Sequence, residues 1–132
     1  MSVLDTSVVI DFLTRQGTAS EVERLLAEAP PAAAPDVLVF EVLAVLRRDV
    51  SRGDIGEDRA RLALADLGDM SIELFPAMPL RNRAFALRRN LTAADALFVA
   101  LAVSLGEPLV TKDRGLARAA REQAAAEVLL LG

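Results

Sequence analysis

The sequence predicts a three-layer α/β/α domain with a short, mainly parallel central sheet. Short and almost wholly apolar runs alternate along the chain with longer helical patterns. This alternation is typical of βαβ units. Strands of a parallel sheet are covered by helices on both faces, so they are apolar along most of their length. We therefore expect one sheet with helices on both sides, and ligands bound beyond the carboxyl ends of its strands.

Prolines, glycines and capping residues set the expected boundaries of the elements. Strands are expected at residues 2–4, after the prolines of 30–35, and at 71–75, 108–111 and 127–131. Helices are expected at residues 7–13, 20–29, 37–52, 57–70, 80–90, 93–106 and 113–126. Ser20, Asp36 and Thr92 are the expected N-caps, and Gly53 should end the third helix. There is no internal repeat or linker, so residues 1–132 are expected to form a single domain.

Composition removes several kinds of catalytic site. The 132 residues are 53% hydrophobic and 26% charged, as in a well-packed globular protein, and no apolar run reaches the roughly 18 residues of a membrane span. There is no His, Cys, Trp or Tyr. This excludes Ser-His-Asp and Cys-His triads, paired-histidine RNA cleavage and ordinary structural zinc. Without cysteine or a basic N-terminal segment, the chain is expected to be cytoplasmic.

Charge by itself decides little about the ligand. A net charge of −4 does not predict a broad basic surface for nucleic acid. Fourteen of the 15 basic residues are arginine, and Lys112 is the only lysine. Arginine suits phosphate because its guanidinium group is planar and donates in pairs. An arginine-rich genomic composition explains the same bias equally well.

Glu41 stands alone in the apolar segment VLVFEVLAVL at residues 37–46. A helix that is hydrophobic all round should be buried on most sides. There, an ionised carboxylate costs several kcal/mol unless a partner compensates it. None of its nearest neighbours on the same helical face is a cation, and Arg48 on roughly that face is two turns away. We therefore expect its partner to come from another segment, either as an arginine or as a metal ion.

Three further acids lie in similar apolar settings. Asp5 and Asp113 directly follow predicted strands, and Asp95 lies in the first turn of an apolar helix. Each acid also has a purely structural explanation. Asp5 and Asp113 can cap helices, and Asp95 can lie in the first turn behind the N-cap Thr92. A buried salt bridge is the corresponding explanation for Glu41.

Taken together, the four acids suggest a metal site. Several carboxylates without histidine or thiol form the ligand set of a hard divalent cation, Mg²⁺ or Mn²⁺. Such an ion would offset their mutual repulsion and could activate a water molecule for attack on a phosphodiester. Asp11 is left out of the set because Arg15, four residues on, is its expected partner. Asp36 is left out because it is a good helix cap.

The motifs around these acids, taken in order, resemble the PIN domain, and in particular the VapC toxins of bacterial type II toxin–antitoxin systems. LDTSVVIDFL contains Asp5, an apolar helix contains Glu41, LTAADALFVALA contains Asp95, and LVTKDRGLA contains Asp113. The resemblance covers essentially the whole chain, so residues 1–132 are expected to form one PIN-like domain. The order and spacing of the motifs are more specific than any one of them.

This resemblance implies an endoribonuclease that depends on Mg²⁺, with Mn²⁺ as a substitute. The catalytic and metal-binding acids would be Asp5, Glu41, Asp95 and Asp113. Ser7 and Thr111 would form hydrogen bonds within the site. Such toxins usually form homodimers or toxin–antitoxin hetero-oligomers. A small VapB-like antitoxin inhibits them by wrapping apolar grooves between helices, often with an arginine directed at the acidic pocket.

The expected RNA recognition follows from the missing aromatic residues. Relatives often carry an aromatic residue before the third acid, where this chain has Ala94. With no Tyr or Trp, base stacking can come only from Phe or from arginine planes. We therefore expect RNA to be recognised mainly by shape and phosphate.

Two alternatives remain at this stage. A receiver domain or a haloacid dehalogenase-like phosphatase also places Asp at strand ends with a Thr and a Lys nearby, as the TKD sequence at residues 111–113 does. Against it, the second Asp of the phosphatase motif is replaced by Ser7, and receivers need no carboxylate at Glu41. The other alternative is a non-catalytic PIN scaffold that only binds a partner. No dinucleotide-binding loop or P-loop is present.

Overall fold

A computed structural model describes residues 1–132 and contains one five-stranded sheet in which every pair of neighbouring strands is parallel. The strands are β1 (Val3–Leu4), β2 (Ala32–Pro35), β3 (Ile72–Phe75), β4 (Leu109–Thr111) and β5 (Val128–Leu130). Their spatial order is β3-β2-β1-β4-β5. Four strands lie where the sequence predicts them, and the prediction of a parallel sheet is confirmed. Strand β2 lies within residues 30–35, where a turn before the strand was expected, because the alanines between the prolines pair with both β1 and β3.

Seven helices form the two outer layers. They are α1 (Thr6–Thr14), α2 (Ala19–Glu28), α3 (Val37–Arg52), α4 (Glu57–Asp69), α5 (Arg81–Ala86), α6 (Ala93–Leu105) and α7 (Arg114–Ala124). A short 3₁₀ turn, Met78–Leu80, precedes α5. Helix α1 packs on α2, α3 and α4, whereas α6 packs on α5 and α7. The predicted α/β/α architecture is therefore confirmed. None of these helices combines the length and apolar character that crossing a membrane requires.

Most helix ends follow their predicted signals, but α5 ends at Ala86 rather than at residue 90, and two predicted N-caps differ from the structure. Thr92 caps α6 by accepting a hydrogen bond from the Asp95 N–H, and Gly53 ends α3 in a left-handed conformation. The prediction for Ser20 is wrong, because α2 begins one residue earlier and Thr18 holds its N-cap position. Asp36 precedes α3 but makes no capping bond with its side chain. Its backbone is already helical, with φ −64° and ψ −16°, whereas a capping side chain needs an extended backbone.

Helix α6 forms the centre of the hydrophobic core. It packs against β1, β2 and β4, and Phe98, Val99 and Ala100 on it are fully buried. The middle strand contributes Val3 and Leu4, which are also fully buried. This central position explains why α6 is apolar on nearly all sides.

Helix α3 departs from the prediction that it is buried on most sides. Its Leu38 and Val42 are buried, but Val39, Phe40 and Leu43 are 38%, 62% and 48% exposed. We call these three exposed residues the α3 apolar face. The helix packs mainly against α1 and α4, and these three side chains stay partly exposed to solvent. The apolar residues of α3 therefore lie partly in the core and partly on the surface.

The strand order reverses between β1 and β4. From β1 the chain continues to β2 and β3 on one side, and it later returns to place β4 on the other side of β1. In parallel sheets the loops diverge at such a reversal and leave a crevice beyond the carboxyl ends of the two strands. Asp5 directly follows β1, and Asp113 lies two residues after β4. The topology thus brings two of the four predicted acids to one edge.

Candidate active site

Asp5 lies at this edge as a buried carboxylate fixed by two elements of the fold. Its side chain accepts hydrogen bonds from Ser7 Oγ at 2.6 Å, from Thr111 Oγ1 at 2.6 Å and from the Val8 N–H at 3.3 Å. Only 4% of the residue is exposed. Burial raises the pKa of the carboxyl group, although these hydrogen bonds act in the opposite direction. The two hydroxyl groups predicted to support the site therefore both contact Asp5.

Thr111 connects Asp5 to Asp113. The fully buried Thr111 hydroxyl donates to Asp5 Oδ2 and accepts the Asp113 N–H at 3.0 Å. Asp113 in turn accepts the Leu116 N–H at 3.1 Å and caps α7. One hydroxyl thus fixes the relative positions of the acid after β1 and the acid after β4.

Asp95 shares the electrostatic environment of the other three acids. It lies half-buried in the first turn of α6. Burial raises the pKa of its carboxyl group, and the negative charges of Glu41, Asp5 and Asp113 raise it further. The fold therefore places Asp95 within electrostatic range of the other three predicted acids, although the four come from four separate segments.

Glu41 forms no salt bridge, so the structural explanation for it is wrong. Its Oε1 instead accepts a hydrogen bond from the Thr6 hydroxyl at 2.5 Å. Thr6 is the first residue of α1 and directly follows Asp5. The prediction from sequence missed this contact. Its only local signal was a second hydroxyl residue in LDTS, and nothing in the sequence pairs that residue with a glutamate 35 positions away.

The chemistry of these ligands fits a hard divalent cation, but the carboxylates are not gathered around a single point. No three acidic side chains lie close enough to one another to hold a metal ion. Both oxygens of Asp5 and one oxygen of Glu41 accept hydrogen bonds from the protein. A carboxylate has about four acceptor positions, so each retains capacity for a further partner. All the available ligands are oxygen atoms, which Mg²⁺ and Mn²⁺ prefer.

The capping explanations for three of the acids are also correct. Asp5 caps α1, Asp113 caps α7, and Asp95 lies in the first turn behind the cap Thr92. A cap requires only one hydrogen bond to one carboxylate oxygen. Capping therefore orients these side chains and leaves acceptor positions free.

Asp11 pairs with Lys112 rather than with Arg15. The Lys112 ammonium group donates to both Asp11 oxygens, at 2.8 and 2.9 Å, and Thr18 donates its N–H and its hydroxyl to Oδ2. Burial would raise the pKa of Asp11, but the bonds from Lys112 and Thr18 outweigh it and hold the pKa below its ordinary value. The exposed Arg15 ends α1 in a left-handed conformation. The receiver or phosphatase interpretation requires Lys112 near the strand-end aspartates, but Lys112 binds Asp11 instead.

The Asp95→Asn variant should be more stable than the wild type in the presence of chelator. A raised pKa means that the folded state binds the proton more tightly than the unfolded state does. The contribution of Asp95 is therefore fully favourable below its ordinary pKa of 3.8 and is lost as the pH rises through the raised value. At pH 7, removing the charge should raise the free energy of unfolding by about 0.5–2 kcal/mol.

Urea unfolding at pH 7 with chelator would measure this gain. Asp54→Asn, at an exposed position after α3, is the matched control and should leave the stability within about 0.5 kcal/mol of the wild type. If Asp95→Asn is less stable than the wild type, the ionised carboxylate is net favourable in the folded protein. That result would contradict the repulsion from the other three acids.

Comparison with known proteins identifies the family. The family model described as "PIN domain" matches residues 2–122. Ribonuclease VapC1 of Mycobacterium tuberculosis is 40% identical over 118 residues, which are 89% of each chain. Ribonuclease VapC12 of the same species is 32% identical over 130 residues, which cover 98% of this chain and 99% of the relative.

Solved structures show the same fold at much lower sequence identity. The structure of VapBC2 from Rickettsia felis, bound to a DNA fragment from their promoter, contains a chain with a TM-score of 0.67 and 14% identity. The match covers 98% of this chain and 97% of that chain. A domain of a functionally unknown protein from Methanocaldococcus jannaschii has a TM-score of 0.57 and 20% identity. The resemblance read from the motifs is therefore confirmed, and the chain belongs to the PIN domain family, among the VapC ribonucleases.

Proposed function

We propose that this ribonuclease is a divalent-metal-dependent endoribonuclease toxin that a VapB-like antitoxin inhibits. One observation carries the proposal: the negative charges of Glu41, Asp5 and Asp113 disfavour the ionised form of Asp95, and no basic side chain pairs with any of the four acids. Such an arrangement is unfavourable by itself and becomes favourable when a cation binds. The names of the VapC relatives support RNA as the substrate and an antitoxin as the partner.

The residues proposed to hold the cation are Asp5, Glu41, Asp95 and Asp113, with Mg²⁺ as the cofactor and Mn²⁺ as a substitute. A bound ion of this kind supplies an activated water molecule and stabilises the negative charge that develops on a phosphodiester. No histidine is available as a base, which makes this the simplest route to hydrolysis for this composition.

The protein's own contribution is to orient carboxylates. Ser7 and Thr111 hold the two oxygens of Asp5, and Thr6 holds Glu41. Hydrogen-bonded neighbours that fix a ligand in this way usually change metal affinity or activity by about 10- to 100-fold when they are removed. We therefore assign Thr6, Ser7 and Thr111 as positioning residues. The two VapC relatives are bacterial, and bacterial RNA is made in the cytoplasm, so we propose that the enzyme acts there.

We further propose that the protein forms a homodimer or a toxin–antitoxin hetero-oligomer. The α3 apolar face supports this proposal, because three large apolar side chains on one helix are 38–62% exposed. Exposed apolar surface of this kind often marks an interface. The 29 residues of the hydrophobic core form a single cluster, which supports residues 1–132 as one PIN domain.

Cleavage of total cellular RNA by the purified protein tests the function. RNA should be cut with Mg²⁺ or Mn²⁺ and should remain intact with chelator. Without cleavage, calorimetric titration with Mn²⁺ decides between two readings. A folded sample that binds Mn²⁺ but does not cut total RNA has a narrow RNA target. A folded sample that binds no Mn²⁺ would contradict the proposal and favour the non-catalytic scaffold.

A further inference from the structure

Residues 74–94 form a basic segment in an acidic protein. They contain four arginines and no Asp or Glu, a charge of +4 in a chain whose net charge is −4, which leaves −8 for the remainder. The arginines are Arg81, Arg83, Arg88 and Arg89, and all are exposed. None of them forms an ion pair. Their positive charge is therefore available to a ligand.

An exposed aromatic ring lies within this basic segment. Phe85, on α5, is 68% exposed. The Arg88 guanidinium carbon lies 4.6 Å from the centre of its ring, and Arg88 also donates to the Phe85 carbonyl oxygen at 3.2 Å. The side chain of Arg88 is thus held over the ring. An exposed phenylalanine with an arginine on it offers a flat surface on which a nucleic-acid base can stack.

A groove lies next to this ring, at the N-terminal end of α6. Its volume is about 490 Å³, and it lies between α5 and the first turns of α6. Arg81, Phe85 and Arg88 line one side. Ala93 and Ala96, whose small side chains leave room, line the other. Ala93 lies two residues before Asp95 and Ala96 directly after it, so the groove runs along the turn of α6 that carries this proposed metal ligand, although Asp95 projects from a different side of the helix. We call it the α5–α6 groove.

We propose that the α5–α6 groove binds single-stranded RNA, with a base stacked on Phe85 and the backbone phosphates bound by Arg81 and Arg88. This inference rests on the proposed ribonuclease function and adds a binding surface for the substrate outside the four proposed metal ligands. Charge complementarity selects a polyanion, and a flat aromatic surface selects bases that are free to stack. Bases in a duplex are already paired and stacked, so an unpaired strand fits the groove better than a helix does.

Fluorescence anisotropy with a short fluorescein-labelled single-stranded RNA of random sequence tests this proposal. The full-length protein carries Glu41→Gln throughout, and chelator is present, so that no RNA is cut. Phe85→Ala should weaken binding about tenfold, with the salt dependence unchanged. Arg88→Gln should also weaken binding and should reduce the slope of log affinity against log salt by about 0.7. Arg24→Gln, at an exposed position on α2, is the matched control and should change neither quantity.

Any of the following binding results would overturn the proposal: no measurable binding by the parent protein, unchanged affinity in both groove variants, or equal effects of Phe85→Ala on the single strand and on the same strand annealed to its complement. Sedimentation of each variant is measured in parallel. If Phe85→Ala converts a dimer to a monomer, the groove is a surface for self-association and the RNA proposal fails. Cleavage by the wild type is a separate measurement, so loss of the ribonuclease function and loss of the groove function are distinguishable.

Discussion

The Glu41→Gln variant is expected to lose metal-dependent RNA cleavage by at least about a hundredfold while its fold stays intact. Glutamine has the shape of glutamate and keeps a carbonyl oxygen that can accept the Thr6 hydroxyl. It lacks the negative charge that a divalent cation needs. An ion that stabilises the transition state contributes several kcal/mol, and each 1.4 kcal/mol corresponds to about a tenfold change in rate. Initial rates of RNA cleavage with Mn²⁺ would measure the loss.

The matched control for this experiment is Glu21→Gln. Glu21 is an exposed glutamate on α2, which contributes no residue to the candidate site, so its variant should cleave at the wild-type rate. Thr6→Val keeps the Glu41 charge and removes only its hydrogen-bond donor. It should show an intermediate loss of about 10- to 100-fold. Wild-type rates in Glu41→Gln would show that this carboxylate does not bind the catalytic ion, and the proposed site would then need a different set of acids.

Much of the fold could be predicted because the boundaries of its elements have local chemical causes. Gly53 adopts a left-handed conformation, and Thr92 offers a hydroxyl to its own first turn, whatever the rest of the chain does. The failed boundaries depend on distant contacts. Thr18 becomes the N-cap of α2 while Asp11 holds both its N–H and its hydroxyl, and the sequence gives no sign of that contact.

Burial was harder to predict than secondary structure. The apolar patterns of α3 and α6 look alike in sequence, yet α6 covers the middle of the sheet and α3 has an open side. An apolar residue favours burial, but its hydrophobicity does not show whether it is buried in the core of the domain or in the interface of an assembly. The prediction that α3 is a helix is therefore correct, and the prediction that it is buried on most sides is wrong.

Local rules also predict some features of the candidate site and fail to predict others. The convergence of Asp5 and Asp113 follows from parallel strands, because strand ends meet at one edge of the sheet. The partners of the acids do not follow from any local rule. Spacing of four residues suggested Arg15 for Asp11, whereas its true partner lies 101 positions away in the sequence. A single lysine between Thr111 and Asp113 thus ties the site-bearing loop after β4 to the end of α1.

Asp11→Asn should lower the free energy of unfolding at pH 7 by about 2–3 kcal/mol. Removing one partner of a buried ion pair typically costs about 3–5 kcal/mol. The Asp11 side chain is only 8% exposed, but that of Lys112 is 42% exposed and can be rehydrated, so we expect a smaller loss. Asparagine keeps one acceptor oxygen for Thr18 and places an amide N–H₂ group against the ammonium group. Urea unfolding at pH 7 would measure the change.

The pH dependence identifies the charge of Asp11 as the cause. Its pKa in the folded state lies below the ordinary value of 3.8, so its contribution is present above that value and is lost as the pH falls through the folded-state pKa. The difference in stability between the wild type and Asp11→Asn should therefore be constant from pH 7 down to about pH 5 and should shrink below pH 4. Arg15→Gln removes the partner that the sequence suggested, and it should change the stability by less than about 0.5 kcal/mol because Arg15 is exposed. A difference that persists unchanged in acid would instead assign the loss to packing around Thr18, since packing does not titrate.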